Sequence, residues 1–267
     1  MASRLWRSSQ GDRRSRHRVA GFLAHGTQEL AIGLTQLQAF YPRLHPLCGR
    51  IKTMTVDIAG NLEKYHRGLN AEARYASFDY CFNYFQEARD DGETARLAEA
   101  HLQLSCLQLG FYLASWGMMR GSSGLLKRSV RGLVPVVEQI AQESASIWEL
   151  DAHTYADNTD AVLALSERVR EAFYGFRASD TLVTKTMLGV FGCVPAFDRY
   201  FRIGFGPATL NPKTIRKIGD FYKANQAEID AAQAFTLDFD TGRQTDRPYP
   251  RAKIMDAVFF QQGYSPS

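Results

Sequence analysis

The stretch Ser179 to Arg202, SDTLVTKTMLGVFGCVPAFDRYFR, carries the densest set of structural signals in the chain. It opens on Ser179, Asp180 and Thr181, residue types that accept a hydrogen bond from the first free amides of a helix. Val183, Met187, Val190, Phe191 and Val194 then recur at spacings of three and four, one apolar helical face. Pro195 ends that helix or starts the next, because it lacks an N–H but suits a first turn. Asp198 follows the apolar segment Val194-Pro195-Ala196-Phe197. A carboxylate so placed is a helix cap, half of an Asp198–Arg199 surface pair, or a group held for chemistry.

The same helical period runs through the rest of the chain. Phe22, Leu23, Leu30, Leu34, Leu37 and Phe40 predict a helix over 21–41, closed by Pro42, and a second is predicted over 51–69. The aromatic run SFDYCFNYFQ, 77–86, is a core helix. Thr94 to Met119 reads as the longest and most central helix, apolar on nearly all sides and buried in protein rather than in a membrane. Residues 125–144 read as a helix kinked at Pro135, and 148–158 as irregular. Helices over 159–174 and 181–193 follow, joined by the loop 175–180. Asn211-Pro212 is a helix start, cap then first position, for a helix to about 233, and a last helix spans 252–261. The polar segment 238–250 reads as a surface loop. No segment alternates like a strand, so the expected fold is all-α, two-lobed, with lobes 19–150 and 151–267 and a ligand cleft between them.

Charge bears on partners. The chain of 267 residues carries a net +4 and is 45% hydrophobic, a mildly basic globular protein compatible with nucleic acid. Residues 1–18 hold Arg4, Arg7, Arg13, Arg14, Arg16 and Arg18 against Asp12, which predicts a flexible basic arm ahead of one helical domain, 19–267. The four cysteines, Cys48, Cys81, Cys106 and Cys193, have no metal-ligand spacing, so buried free thiols in a reducing cytoplasm are expected. No metal, cofactor or membrane partner is expected, and a monomer is.

Several side chains suit a pocket. Asp79 and Asn83 are four apart and share one helical face, offering a carboxylate and an amide to a bound ring, or else satisfying backbone groups in an aromatic core. Tyr80, Tyr84 and Trp116 offer aromatic faces. Trp116 leads into Gly117-Met118-Met119-Arg120-Gly121-Ser122-Ser123-Gly124, where glycines allow close backbone approach and Arg120, Ser122 and Ser123 supply polar groups. Ser179, Thr181, Lys185 and Arg199, with Lys213, Arg216 and Lys217 at the start of the 212 helix, suit DNA phosphates.

A helix, a short loop, a second helix carrying Lys185-Thr186, and then Pro195-Ala196-Phe197-Asp198 together resemble the core of the helix-hairpin-helix DNA glycosylases. The loop Gly175-Phe176-Arg177-Ala178-Ser179-Asp180 departs from the family's Leu-Pro-Gly-x-Gly, and no four-cysteine iron–sulfur loop is present. The resemblance implies that Asp198 is the catalytic carboxylate. The gap from Lys185 to Asp198 is shorter than in family members with a lysine nucleophile, which argues for a monofunctional enzyme.

SFDYCFNYFQ, YLASWGMMRGSSGLLK and TLVTKTMLGVFGCVPAFDRYF, within 77–201, further resemble bacterial anti-phage DNA glycosylases acting on glucosylated 5-hydroxymethylcytosine. That likeness implies double-stranded phage DNA as partner and an abasic site as product. The alternative is a non-catalytic helical nucleic-acid-binding protein of a defence complex, which needs the basic residues but not Asp198. A metal nuclease is disfavoured by the lack of clustered carboxylates.

Overall fold

Helix propagation accounts for nearly all the regular structure in the computed structural model, which describes residues 56 to 264. Eleven α-helices occur among the described residues: α1 Ile58–Arg67, α2 Ser77–Asp90, α3 Leu102–Ser115, α4 Val134–Ala141, α5 Ala145–Trp148, α6 Tyr155–Ala172, α7 Asp180–Phe191, α8 Arg199–Phe205, α9 Pro212–Ala224, α10 Gln226–Asp230 and α11 Arg251–Tyr264. One antiparallel hairpin, β1 Phe235–Leu237 with β2 Gln244–Pro248, lies between α10 and α11. The fold is all-α. The expected basic arm and the helix over 21–41 lie outside the described residues. None of the described helices is long and apolar enough to cross a membrane.

The centre of the molecule is α7, not α3. Every residue of α7 from Leu182 to Phe191 is buried, whereas α3 exposes Leu104, Leu107 and Phe111. Residues 94–97 form a separate 3-10 turn, so α3 starts later than the apolar run suggested, and the longest helix among the described residues is α6. Two side chains fix α7 against its neighbours. Tyr112 Oη of α3 donates to the Lys185 carbonyl at 3.0 Å, and Gln86 Nε2 of α2 donates to the Val190 carbonyl at 2.8 Å. Gly192, at φ 67°, ends α7 in the left-handed region that glycine adopts freely.

Other boundaries follow local chemistry. Residues 124–127 and 130–133 are 3-10 turns, not the first half of a kinked helix; α4 begins after them with Pro135 in its first turn. The segment 148–158, read as irregular, holds the last residue of α5, a 3-10 turn at 152–154 and the start of α6, with a break at Asn158. Asp151 orders it by accepting from the Ala152 amide at 2.7 Å, and its carboxylate also accepts from the Ala252 amide at 2.8 Å, fastening the start of α11. Asn211 caps α9 through the Thr214 amide at 2.9 Å, but that helix stops at Ala224.

α11 packs between α1 and α8, and α2 lies along α7, so the two halves of the described chain share one core. Gly204 of α8 and Gly263 of α11 let those helices touch: a Cβ on either would collide with a backbone carbonyl of the other, Phe259 or Tyr200.

The segment 238–250 corrects the surface-loop reading, because it contains β2. The hairpin is held from below by α2: Asp79 Oδ2 accepts from the Leu237 amide at 3.2 Å, and Asn83 Nδ2 donates to the Leu237 carbonyl at 3.0 Å. Asp79 also accepts from Tyr249 Oη at 2.7 Å. Burial pushes the Asp79 carboxyl up to about 7, against the opposing effects of the Tyr249 hydroxyl, the Lys253 ammonium and the Leu237 amide. The folded state therefore holds a proton that the unfolded chain releases near pH 4, so this group's contribution to stability falls as pH rises from about 4 to about 7. Denaturant unfolding of wild type and Asp79→Asn at several pH values checks this: the wild type should lose stability with rising pH more steeply than the variant, and parallel curves would refute it.

Candidate active site

Ser179 caps α7 as its sequence position suggested, Oγ accepting from the Leu182 amide at 3.2 Å. The chain then leaves α7 through the turn 192–198, which four side chains hold, Tyr155 Oη donating to the Cys193 carbonyl at 2.5 Å. Thr181 Oγ1 donates to the Phe197 carbonyl at 2.8 Å, and Thr184 Oγ1 accepts from the Phe197 amide at 2.9 Å. Asp256 Oδ1, from α11, accepts from the Ala196 amide at 2.9 Å. This turn delivers Asp198 to the start of α8.

The two oxygens of Asp198 do different things. Oδ1 caps α8, accepting from the Tyr200 and Phe201 amides at 3.0 Å each. Oδ2 faces the Lys185 ammonium at 3.4 Å. The capping reading of Asp198 therefore holds, and its second oxygen pairs with an ammonium. Arg199 is not its partner; it lies exposed, its guanidinium 5.9 Å from the Tyr200 ring.

Asp198 and Lys185 meet in a cavity of about 220 Å³. Buried Tyr65, Trp116 and Asp256 complete its floor, Tyr75, Tyr200 and Phe260 form a half-buried aromatic wall, and exposed Arg74, Arg120 and Tyr264 stand at the mouth. The wall rings brace one another edge-on or stacked, with Phe260 against Tyr75, Tyr200 and Tyr264 at 5.3, 5.3 and 5.6 Å.

The floor is charged. Lys185 Nζ donates to the Trp116 carbonyl at 2.6 Å. Burial lowers the Lys185 pKa, while the Asp198 and Asp256 carboxylates oppose that shift. Behind Asp256 lies Lys253, fully buried, with Nζ donating to Tyr65 Oη at 3.0 Å and to Asp256 Oδ2 at 3.2 Å. Its ammonium also sits 4.6 to 4.8 Å from the ring centres of Tyr65, Phe78 and Trp116. Burial alone would lower the Lys253 pKa, but Tyr65 and Asp256 outweigh it and the net shift is upward. Burial likewise raises the Asp256 carboxyl and Asp198 adds to that, with Lys253 opposing.

The cavity brings together Asp198, Lys185, Trp116 and Arg120 of the residues singled out in the sequence. Lys185 was expected on a DNA backbone, but its side chain is buried in the floor. Asp79 and Asn83 face the hairpin instead, because β1 covers that side of α2. Tyr80 Oη donates to the Ala71 carbonyl at 2.6 Å, and Tyr84 Oη pairs with Ser105 Oγ at 2.8 Å, both away from the cavity. Ser122 is exposed, and Ser123 caps the 124–127 turn. Of the residues assigned to phosphates, Ser179 and Thr181 spend their hydroxyls on the internal bonds above. Lys217 Nζ donates to the Phe205 carbonyl at 3.0 Å, while Lys213 and Arg216 are exposed on α9.

Sequence reasoning missed Arg74, Tyr75, Tyr200, Asp256 and the end of α11. One signal was present: Asp256 interrupts, and Lys253 precedes, the apolar run Ile254-Met255-Asp256-Ala257-Val258, where a charge needs a reason. Among the described residues no cluster of three or more His, Cys, Asp or Glu side chains could hold a metal ion. No family model, curated protein or solved structure matches this chain, so the functional reading rests on the residues of the cavity.

Proposed function

We propose that the protein is a DNA N-glycosylase that takes an extrahelical base into this cavity and hydrolyses its bond to deoxyribose. The observation that carries the reading is the Lys185–Asp198 pair, 3.4 Å apart at the floor of an aromatic-walled cavity. Breaking an N-glycosidic bond separates charge: the sugar becomes oxocarbenium-like and the departing base takes the electron pair. A carboxylate beside an ammonium supplies one fixed charge for each product. Asp198 stabilises C1′ and orients the attacking water, and the Lys185 ammonium donates to the leaving base. Tyr75, Tyr200 and Phe260 offer faces for the flipped ring to stack on.

The preferred substrate is phage DNA containing glucosylated 5-hydroxymethylcytosine, with antiviral defence as the role and an abasic site as product. A cavity of about 220 Å³ is below the usual range for drug-sized ligands, so it takes the base ring and leaves a glucosyl group at the mouth, beside Arg120. Incubation with glucosylated T-even phage DNA and with unmodified DNA, followed by alkali, tests this. Breaks in the modified DNA alone are expected; no breaks in either DNA from folded protein would overturn that substrate.

A second reading has its own support. Burial favours the neutral amine of Lys185, which could attack C1′ itself and make the enzyme a lyase. Borohydride during turnover separates the two: a covalent protein–DNA adduct lost in Lys185→Gln means a lyase, and its absence while base is released means hydrolysis by water.

A further inference from the structure

Two consecutive carbonyls at the end of α3 each accept from a cation at the cavity, and the next residue, Gly117, lies against a third cation. The Ser115 carbonyl accepts from Arg74 Nε at 3.1 Å and Nη2 at 2.7 Å. The Trp116 carbonyl accepts from Lys185 Nζ at 2.6 Å. Gly117, at φ 77°, lies under the Arg120 guanidinium, so close that a Cβ there would come within 3.1 Å of Arg120 Nε. Carbonyls in the last turn of a helix lack intrahelical partners, and the helix dipole puts negative potential there, so this helix end concentrates positive side chains.

The charges do not cancel. With Lys253 behind Asp256, four cations stand against the two carboxylates Asp198 and Asp256. Those carboxylates pair with the lysines, at 3.4 and 3.2 Å. Among the described residues, no carboxylate lies within ion-pair distance of Arg74 or Arg120, in contrast to Arg89, Arg96, Arg168, Arg170, Arg247 and Arg251. Both guanidiniums are exposed at the mouth, and Arg74, held by the Ser115 carbonyl, also lies over the Tyr75 ring at 4.9 Å. Held side chains lose little entropy on meeting a ligand.

We propose that Arg74 and Arg120 form a clamp for the phosphate attached to the nucleotide whose ring enters the cavity. The ligand class is thus a nucleotide carrying its phosphate, not a free base or nucleoside. The clamp rests on the proposed function for its identification with DNA. Its chemistry, paired guanidiniums over an aromatic-walled cavity, suits any phosphorylated nucleotide.

The test is equilibrium binding of the full chain to a duplex with one tetrahydrofuran abasic analogue, across a salt series. Wild type is compared with Arg74→Gln, Arg120→Gln and, as a site outside the cavity, Lys213→Gln. Each arginine variant is expected to bind the analogue about tenfold more weakly, as for loss of a charge-assisted hydrogen bond. Each should also lower the slope of log K against log salt by about one. Binding of deoxycytidine 5′-monophosphate but not deoxycytidine, lost in the same variants, would show that the clamp also takes a free nucleotide. Unchanged affinity and slope in both arginine variants would overturn the clamp. Base release from phage DNA is scored separately. Arginine-dependent slopes without base release keep the clamp and remove the proposed substrate, and base release with unchanged slopes removes the clamp and keeps the glycosylase reading. Both side chains are exposed, and circular dichroism confirms that the variants are folded.

Discussion

Asp198→Asn is expected to leave the fold and DNA affinity nearly unchanged and to cut base release by about a hundred- to a thousandfold. The reason lies in the divided role of the carboxylate. Oδ1 caps α8 through two amides, and asparagine is as good a cap as aspartate. Asparagine keeps an acceptor oxygen for those amides but places a neutral NH2 group where Oδ2 faced Lys185. The variant therefore removes the negative charge from the cavity and keeps the acceptor at the helix start. Single-turnover release of base, beside DNA affinity and thermal unfolding, checks it. Equal rates in variant and wild type would remove Asp198 from the chemistry. The protein would then be the non-catalytic nucleic-acid-binding alternative if it still bound DNA but released no base. Lower affinity together with a lower melting temperature would show that the charge is structural.

The largest stability effect is expected from Asp256→Ala, at about 3–5 kcal/mol, because it leaves the Lys253 ammonium buried without its counter-ion. In a chain of this size that is a fall of about 10 °C in melting temperature. Lys253 keeps Tyr65 Oη and its aromatic neighbours, but those do not neutralise it. The Ala196 amide loses its acceptor as well, so the turn carrying Asp198 loosens. The double variant Lys253→Met/Asp256→Ala removes both charges and should regain much of the loss, since a buried pair replaced by apolar groups is often nearly neutral. Calorimetry on the two single variants and the double variant measures this. A melting temperature for Asp256→Ala within about 2 °C of wild type would mean that the pair is not desolvated as its burial implies.

How far the sequence reached depended on the range of the interaction. Helix starts were legible because caps act within three residues. Ser179, Asn211 and Asp198 each accept from an amide two or three positions on. The errors came where local pattern lacks depth. The apolar run 94–119 looked like one buried helix, but apolarity alone cannot tell a central helix from one with Leu104, Leu107 and Phe111 on its outside. The hairpin was invisible because β1 has only three residues, too few for alternation to register. Asp79 and Asn83 were rightly seen to share a face, yet nothing local says whether that face meets a ligand or residues 158 and 154 positions later.

The helical class, the capped helix starts at 180, 199 and 212 and the oddity of Asp198 in apolar surroundings were legible locally, since these follow from propensity, capping and period over a few residues. Only the tertiary structure decided that Lys185 turns inward to the Trp116 carbonyl, that Asp256 and Lys253 form the second charged pair, and that Arg74 joins Arg120 at the mouth. Those partners lie up to 188 positions apart, as for Lys253 and Tyr65. A buried charge is tolerable only beside its counter-charge and hydrogen-bond partners, and packing, rather than neighbouring sequence, selects which ones it meets.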